Sequence, residues 1–150
     1  MPEYFDNRGL SYAKNGEYDR AIIDFTQAIR IAPQAKFLTN RGNAWQSKGD
    51  LGHAIADYDR AIRIDPTDAD AGNNRGTAWR GKGDIDRAMA DYREALRIKP
   101  KFDTAAESLE SLRLLRAKNG KRRESASMAR GRRKLDRNDY GGTCEEKINA

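Results

Sequence analysis

The sequence predicts an all-α fold, a stack of three helix pairs closed by a capping helix, and three observations carry that reading. Asn-Arg-Gly recurs at Asn7-Arg8-Gly9, Asn40-Arg41-Gly42 and Asn74-Arg75-Gly76, spaced 33 and then 34 residues apart. Self-similarity at such a period is the signature of stacked supersecondary units. Within one unit, Ala21, Ile22, Phe25, Ala28 and Ile29 fall at i, i+1, i+4, i+7 and i+8, the spacing of an amphipathic helix, with Asp24 and Arg30 off the apolar stripe. Finally, Pro33, Pro66 and Pro100 close the copies, each lacking the N–H that would continue a helix and restricting the residue before it.

The first unit covers residues 2–34, the second 35–68 and the third 69–102. Each opens with a helix that carries the Asn-Arg-Gly and an aromatic three residues beyond its glycine: Tyr12, Trp45 and Trp79. A turn follows at Gly16, Gly49 and Gly83. The second helix then repeats an alanine (Ala21, Ala54, Ala88), an aromatic (Phe25, Tyr58, Tyr92) and another alanine (Ala28, Ala61, Ala95). Small residues at Gly9, Gly42 and Gly76 and at the paired alanines let two helices approach closely, while the aromatics fill the space where they diverge. The third unit is weaker at its start, where Gly72, Asn73, Asn74 and Gly76 cluster. Glycine costs about 1 kcal/mol against alanine inside a helix, so fraying is expected there.

From Asp103 to Lys118, Ala105, Ala106, Leu109, Leu112 and Leu115 form an apolar stripe on an otherwise charged helix. A stack needs such a cap, because one hairpin cannot bury its own apolar face. Glu110 stands where a fourth unit would need its glycine, and Asn119-Gly120 is expected to stop the helix.

This pattern resembles the tetratricopeptide repeat over residues 2–102, about two thirds of the 150-residue chain. Two features depart from the family pattern: Arg8, Arg41 and Arg75 stand where leucine is commoner, and Gly72 replaces the bulky apolar residue present as Phe5 and Leu38. The resemblance implies a right-handed α-solenoid whose first helices line a concave groove, at Asp6, Asn7, Leu10, Thr39, Asn40, Asn43, Asn73, Asn74, Thr77 and Arg80. It further implies a non-catalytic interaction module for an extended protein or peptide segment, without cofactor or metal. An asparagine amide offers donors and an acceptor together, so Asn7, Asn40 and Asn74 could pair with a peptide backbone, Asn43, Asn73, Thr77 and Arg80 meeting its side chains. The same asparagines could instead bond locally or to the neighbouring repeat, and the spacing leaves both open. A carboxylate clamp for chaperone C-termini needs lysine and asparagine in the first repeat and lysine and arginine in the third. Here Asp6, Leu10, Asp70 and Asn74 stand at those positions, and only Asn40 matches.

Charge and composition bound the alternatives. The chain carries 29 Lys and Arg against 23 Asp and Glu, for a net charge of +6, with a mean hydropathy of -0.96. No stretch approaches the roughly 18–20 apolar residues of a membrane span. The opening Met1-Pro2-Glu3-Tyr4-Phe5-Asp6 has neither a basic nor an apolar signal region, so a cytoplasmic location is expected. One cysteine, Cys144, and one histidine, His53, leave no material for an internal disulfide, a His/Cys metal cluster or thiol-histidine catalysis. Through residue 102 the charges are mixed, 17 basic against 15 acidic. The excess lies between Lys118 and Arg137, where Arg122, Arg123, Arg132, Arg133 and Lys134 form two clusters. Residues 119–150, poor in large apolar side chains, are expected to be a flexible, disordered basic tail. Such a tail gives a second reading, nonspecific binding of nucleic acid or an anionic surface, although Tyr140 is its lone aromatic for base stacking. Arg122-Arg123-Glu124-Ser125 also resembles a basophilic kinase site. A third reading is self-association to a homo-oligomer through Tyr4 and Phe5.

Three apparent catalytic signals dissolve into repeat grammar. Gly76–Gly83 imitates a phosphate-binding loop but belongs to a repeat helix, and Gly42–Gly49 repeats the phrase. Asp57, Asp59, Asp84, Asp86 and Asp91 are expected near helix starts and on exposed faces, where the helix dipole and i,i+4 pairing account for them. His53 is expected on the surface.

Overall fold

The computed structural model describes residues 1–139, with side chains through residue 135. Seven helices are present and no strand among the described residues: α1 (Pro2–Lys14), α2 (Tyr18–Ile31), α3 (Ala35–Ser47), α4 (Leu51–Ile64), α5 (Ala69–Gly81), α6 (Ile85–Ile98) and α7 (Asp103–Asp139). The described residues divide into two compact units, Met1–Glu110 and a second that begins at Ser111. In the first, α1 packs on α2, α3 on α4 and α5 on α6, with α2 meeting α3 and α4 meeting α5. The expected helix pairs are therefore present, with Pro33, Pro66 and Pro100 in the breaks between them.

Each turn inside a pair depends on its glycine. Gly16, Gly49 and Gly83 have φ of 78°, 87° and 83°, the left-handed region that glycine enters without a Cβ penalty. That reversal aims the next N–H back at the first helix: Glu17 donates to the Tyr12 carbonyl at 2.9 Å, Asp50 to Trp45 at 2.9 Å and Asp84 to Trp79 at 3.0 Å. Aspartates then start the helices, Asp50, Asp68 and Asp84 accepting the backbone N–H of His53, Ala71 and Arg87.

The Asp50 carboxyl is held below its usual range, first by the His53 backbone N–H and then by the His53 ring. A folded-state pKa that is depressed gives stability that is present above the unfolded value and fades as pH falls through the depressed one. Asp50→Asn is therefore expected to flatten the acid limb of the Tm-against-pH curve, as followed by circular dichroism.

The pairing contact is the one the small residues predict. A Cβ added to Gly9 would stand 2.8 Å from Phe25 Cε1, and one added to Gly42 2.7 Å from Tyr58 Cε1. At Gly76 the nearest atom would be Tyr92 Cε1 at 3.0 Å. These rings and the flanking alanines Ala21, Ala28, Ala54, Ala61, Ala88 and Ala95 are all buried. The core runs across the repeat boundaries: Ala28, Ile29, Phe37, Leu38, Ala61 and Ala71 form one cluster drawn from α2, α3, α4 and α5. Trp45 packs against two further clusters, one of Ala21, Ile22, Phe25 and Ala44 and one of Ala54, Ile55, Tyr58 and Ala78.

Gly72 behaves differently, because a Cβ there would meet nothing within 4 Å. Helix α5 nevertheless starts at Ala69 behind its Asp68 cap. Gly72→Ala is expected to stabilise the array by about 1 kcal/mol, measured by urea unfolding. It should also slow amide exchange at the start of α5, which in the unaltered chain is expected to exceed that of residues 85–98.

Two sequence expectations are corrected. First, α7 does not stop at Asn119-Gly120 but runs on to Asp139. Gly120 shows no positive φ, the reversal that a glycine stop requires. The following residues up to Lys134 are mostly Arg, Lys, Ala, Met and Glu, all good helix formers, and none is proline. The flexible-tail expectation for residues 140–150, with Tyr140 and Cys144, lies outside the described residues. Second, Asp57 and Asp91 are neither exposed nor near helix starts: they are 4% and 8% exposed, and Asp24, at the same place in the first repeat, is 3% exposed. Within the first unit α7 supplies the buried Ala105 and Leu109.

Candidate functional site

The buried aspartates have partners that the spacing had already written. Arg8 reaches Asp24 through Nε and Nη2 at 2.6 and 2.8 Å. Arg41 holds Asp57 at 2.7 Å twice, and Arg75 holds Asp91 at 2.9 and 2.6 Å. Each arginine lies sixteen residues before its aspartate, three times over. That repeated interval is the sequence signal for a two-pronged guanidinium-carboxylate pair, which suits the planar fork of arginine. The remaining nitrogen, Nη1, reaches back one repeat. In Arg41 it donates to Thr26 Oγ1 at 3.0 Å, and in Arg75 to Asp59 at 2.7 Å. Thr26 and Asp59 hold the same place, one residue after the core aromatic. The arginines that replace the family's leucine thus join helices both within and between repeats.

Anchoring the scaffold this way leaves the other face of the first helices for polar groups. Helices α1, α3 and α5 adjoin in order. Along them Asn40 Nδ2 donates to Asp6 Oδ1 at 2.8 Å, and Asn74 Nδ2 to Asn43 Oδ1 at 3.0 Å. Asn43 Oδ1 also accepts from the Tyr58 hydroxyl at 2.7 Å, which has Gln46 as a second acceptor at 3.1 Å. Burial, and then the charge of Asp57, push the Tyr58 phenol well above its ordinary pKa, so it remains a donor. One repeat on, the Tyr92 hydroxyl meets Thr77 Oγ1 at 3.1 Å, and Thr77 also donates to the Asn73 carbonyl. In the first repeat the aromatic is Phe25, with no hydroxyl, and the matching position is Leu10. The core ring and the face residue change together.

The asparagines expected to form a ladder are divided. Asn40 and Asn74 direct their donors to the neighbouring first helix, the inter-repeat alternative left open by the spacing. Asn7 is exposed, and its amide has no partner among the described residues. Asn73 is 7% exposed; its Nδ2 makes only a 3.5 Å approach to Asn74, and its buried Oδ1 accepts from nothing. A buried acceptor without a donor costs about 1–3 kcal/mol. Arg80 is exposed, with no ion pair to another described residue. The face therefore keeps both kinds of group available, Asn73 Oδ1 as an acceptor and the Asn7 amide and Arg80 guanidinium as donors. Spacing alone missed Gln46 and the tyrosine hydroxyls, because their role follows from how far a core ring reaches through the helix pair.

The other candidates sit where the repeat reading put them. His53 is exposed, bonded to Asp50 through Nδ1 at 2.7 Å and stacked on Trp45 with centroids 4.7 Å apart. The loop-like Gly76–Gly83 phrase spans the end of α5 and its turn. Arg122, Arg123, Arg132, Arg133 and Lys134 are exposed on α7. Among the described residues no helix is long and apolar enough to cross a membrane.

Solved structures share this architecture. The first tetratricopeptide domain of Spaghetti (RPAP3) bound to the HSP90 peptide SRMEEVD is 25% identical with a TM-score of 0.75, the match covering 77% of this chain and 93% of that one. The Arabidopsis OM64 tetratricopeptide domain is 28% identical with a TM-score of 0.72, over 75% and 93% of the two chains. The second such domain of human RPAP3, in complex with the HSP70 peptide SGPTIEEVD, is 27% identical with a TM-score of 0.70, over 75% and 98%. No curated protein sequence matches the chain. Tetratricopeptide repeat profiles match residues 2–35, 35–68 and 70–102. With three consecutive repeat matches, the helix pairs to go with them and the glycine-to-ring contacts in each, the chain belongs to the tetratricopeptide repeat family.

Proposed function

We propose that the chain is a non-catalytic protein-interaction module that holds an extended polypeptide against the concave face of α1, α3 and α5. The observation that carries this reading is the polar strip along those helices, tied by Asn40 to Asp6 and Asn74 to Asn43, with Asn73 Oδ1 left unpaired beside it. Peptides bound by the similar RPAP3 domains support the partner class. The residues engaged are Asn7, Asn40, Asn43, Asn73, Asn74, Thr77 and Arg80. With one N–H each of Asn40 and Asn74 committed between repeats, Asn73 Oδ1 suits a peptide N–H, and the Asn7 amide and Arg80 suit peptide carbonyl oxygens.

Charge sets the preference among peptides. Asp6 and Asp70 stand where a carboxylate clamp requires lysine. A peptide ending in several carboxylates would meet like charge, and discrimination of this kind rests on such repulsion as much as on attraction. In fluorescence anisotropy against a panel of labelled heptapeptides, SRMEEVD is expected to bind at least about tenfold more weakly than a Lys-containing peptide of equal length, a difference of about 1.4 kcal/mol. Preference for SRMEEVD would overturn the charge assignment. The variant Asn7→Ala/Asn40→Ala/Asn74→Ala is expected to lose capture while keeping its helical circular dichroism; capture at full strength by the folded variant would remove the asparagines from the site.

A further inference from the structure

The continuation of α7 converts a basic stretch of sequence into a shaped surface. Between residues 118 and 134 lie Lys118, Lys121, Arg122, Arg123, Arg130, Arg132, Arg133 and Lys134, all exposed, against the single carboxylate Glu124. At about 100° per residue these eight cations spread over roughly 220° of the helix circumference. The remaining arc carries Ala117, Gly120, Glu124, Ser127, Met128, Gly131 and Leu135. None of the eight forms an ion pair with another residue through position 135, where the described side chains end. Arg130 and Arg133 make only 3.4 Å approaches to carbonyls one turn back.

This arrangement works against the helix that displays it. Lys118 and Arg122, and Arg130 and Lys134, are like-charge pairs at i,i+4, each costing about 0.2–0.5 kcal/mol. A polyanion would relieve them. Which polyanion follows from the shape of the basic arc and the chemistry opposite it. A membrane-surface helix needs a narrow basic face backed by Leu, Phe or Trp, whereas here the backing is Gly, Ser and Glu with only Met128 and Leu135 large and apolar. An arc wider than half the circumference instead suits a groove with phosphates on both walls. The B-DNA major groove, about 12 Å wide, admits one α-helix. The basic stretch is about 24 Å long, a length over which duplex DNA presents on the order of fourteen phosphates.

We propose that residues 118–134 of α7 bind double-stranded DNA through its phosphates, lying as a helix in the major groove. Recognition is of backbone charge and groove shape, independent of base sequence. Ser125 lies inside the basic arc, one or two turns from Lys118, Lys121, Arg122 and Arg132, with its hydroxyl donating to the Lys121 carbonyl at 2.9 Å. A negative charge at that position would act directly on the binding face.

The test uses the full chain and a fluorescein-labelled 20-base-pair duplex, read by anisotropy at salt concentrations from about 50 to 200 mM. With six of the eight cations on phosphates, affinity is expected to fall about 10³-fold across that range. Arg122→Ala/Arg123→Ala/Arg132→Ala/Arg133→Ala should reduce the slope of log affinity against log salt by about three to four. Two variants of equal net charge separate a shaped face from a mere polycation. Ser125→Glu, inside the arc, is expected to weaken binding about tenfold, and Gly131→Glu, opposite it, less than about threefold. Helicity at 222 nm should rise on adding the duplex. Absent or salt-independent retention, equal losses from the two glutamates, or tighter binding to phosphatidylserine vesicles than to duplex would each overturn the proposal.

Discussion

Arg41→Ala is expected to destabilise the array by about 3–5 kcal/mol, read as a drop in the urea midpoint followed by circular dichroism. The Arg41 side chain is 16% exposed and that of Asp57 5%, so truncation leaves a carboxylate in the interior of a helix pair without its two N–H donors. Thr26 loses its partner in the same step, loosening the joint between the first and second repeats. The comparison that separates pairing from packing is Arg41→Leu/Asp57→Leu. Replacing both charges by apolar groups removes the desolvation cost together with the attraction, and such exchanges are commonly neutral or stabilising. The double variant is therefore expected near the stability of the unaltered chain. A loss below about 1 kcal/mol for Arg41→Ala would place the pair with solvent-screened surface bridges.

Gly42→Val is expected to cost about 3 kcal/mol, at the upper end of what an overpacked core loses. Its Cβ would lie 2.7 Å from Tyr58 Cε1, closer than real Cβ contacts come. The ring has nowhere to go, being wholly buried and tethered by its hydroxyl to Asn43 and Gln46. Helix α3 would have to withdraw from α4, and the bonds of Asn40 and Asn74 along the first helices would move with it. Gly42→Ala should cost less, because alanine regains about 1 kcal/mol of helix propensity. The opposite sign for Gly72→Ala makes a clean contrast between a glycine needed for contact and one that is not.

These two residues show what one dimension of sequence conveys. The glycine-to-ring contact was legible because one helix pair builds it and three copies repeat it, so spacing within a unit carries the geometry. The Arg-Asp pairs are as regular in the sequence but harder to see, because an aspartate's immediate neighbours say nothing of a partner sixteen residues away on another helix. The asparagines stay open in the sequence for a different reason. An amide's donor can serve a ligand or an adjacent repeat with equal chemistry, and only the separation of α1, α3 and α5 decides between them. At Asn119-Gly120 the stop signal was local and correct in kind. A helix end, however, also needs the chain to reverse, and the run of good helix formers after Gly120 favours continuation.

The backward reach of each arginine gives the array a polarity in its wiring. Arg41 finds Thr26 and Arg75 finds Asp59, but the corresponding place in the third repeat holds Arg93. The residue that follows in arginine's register is Leu109. A duplicate of the second repeat inserted directly after the second would set its guanidinium against Asp59. Inserted after the third, the same duplicate would face another cation. The modules are therefore not interchangeable beads: their order is written in single charges, and the array can be lengthened from within but not at that end.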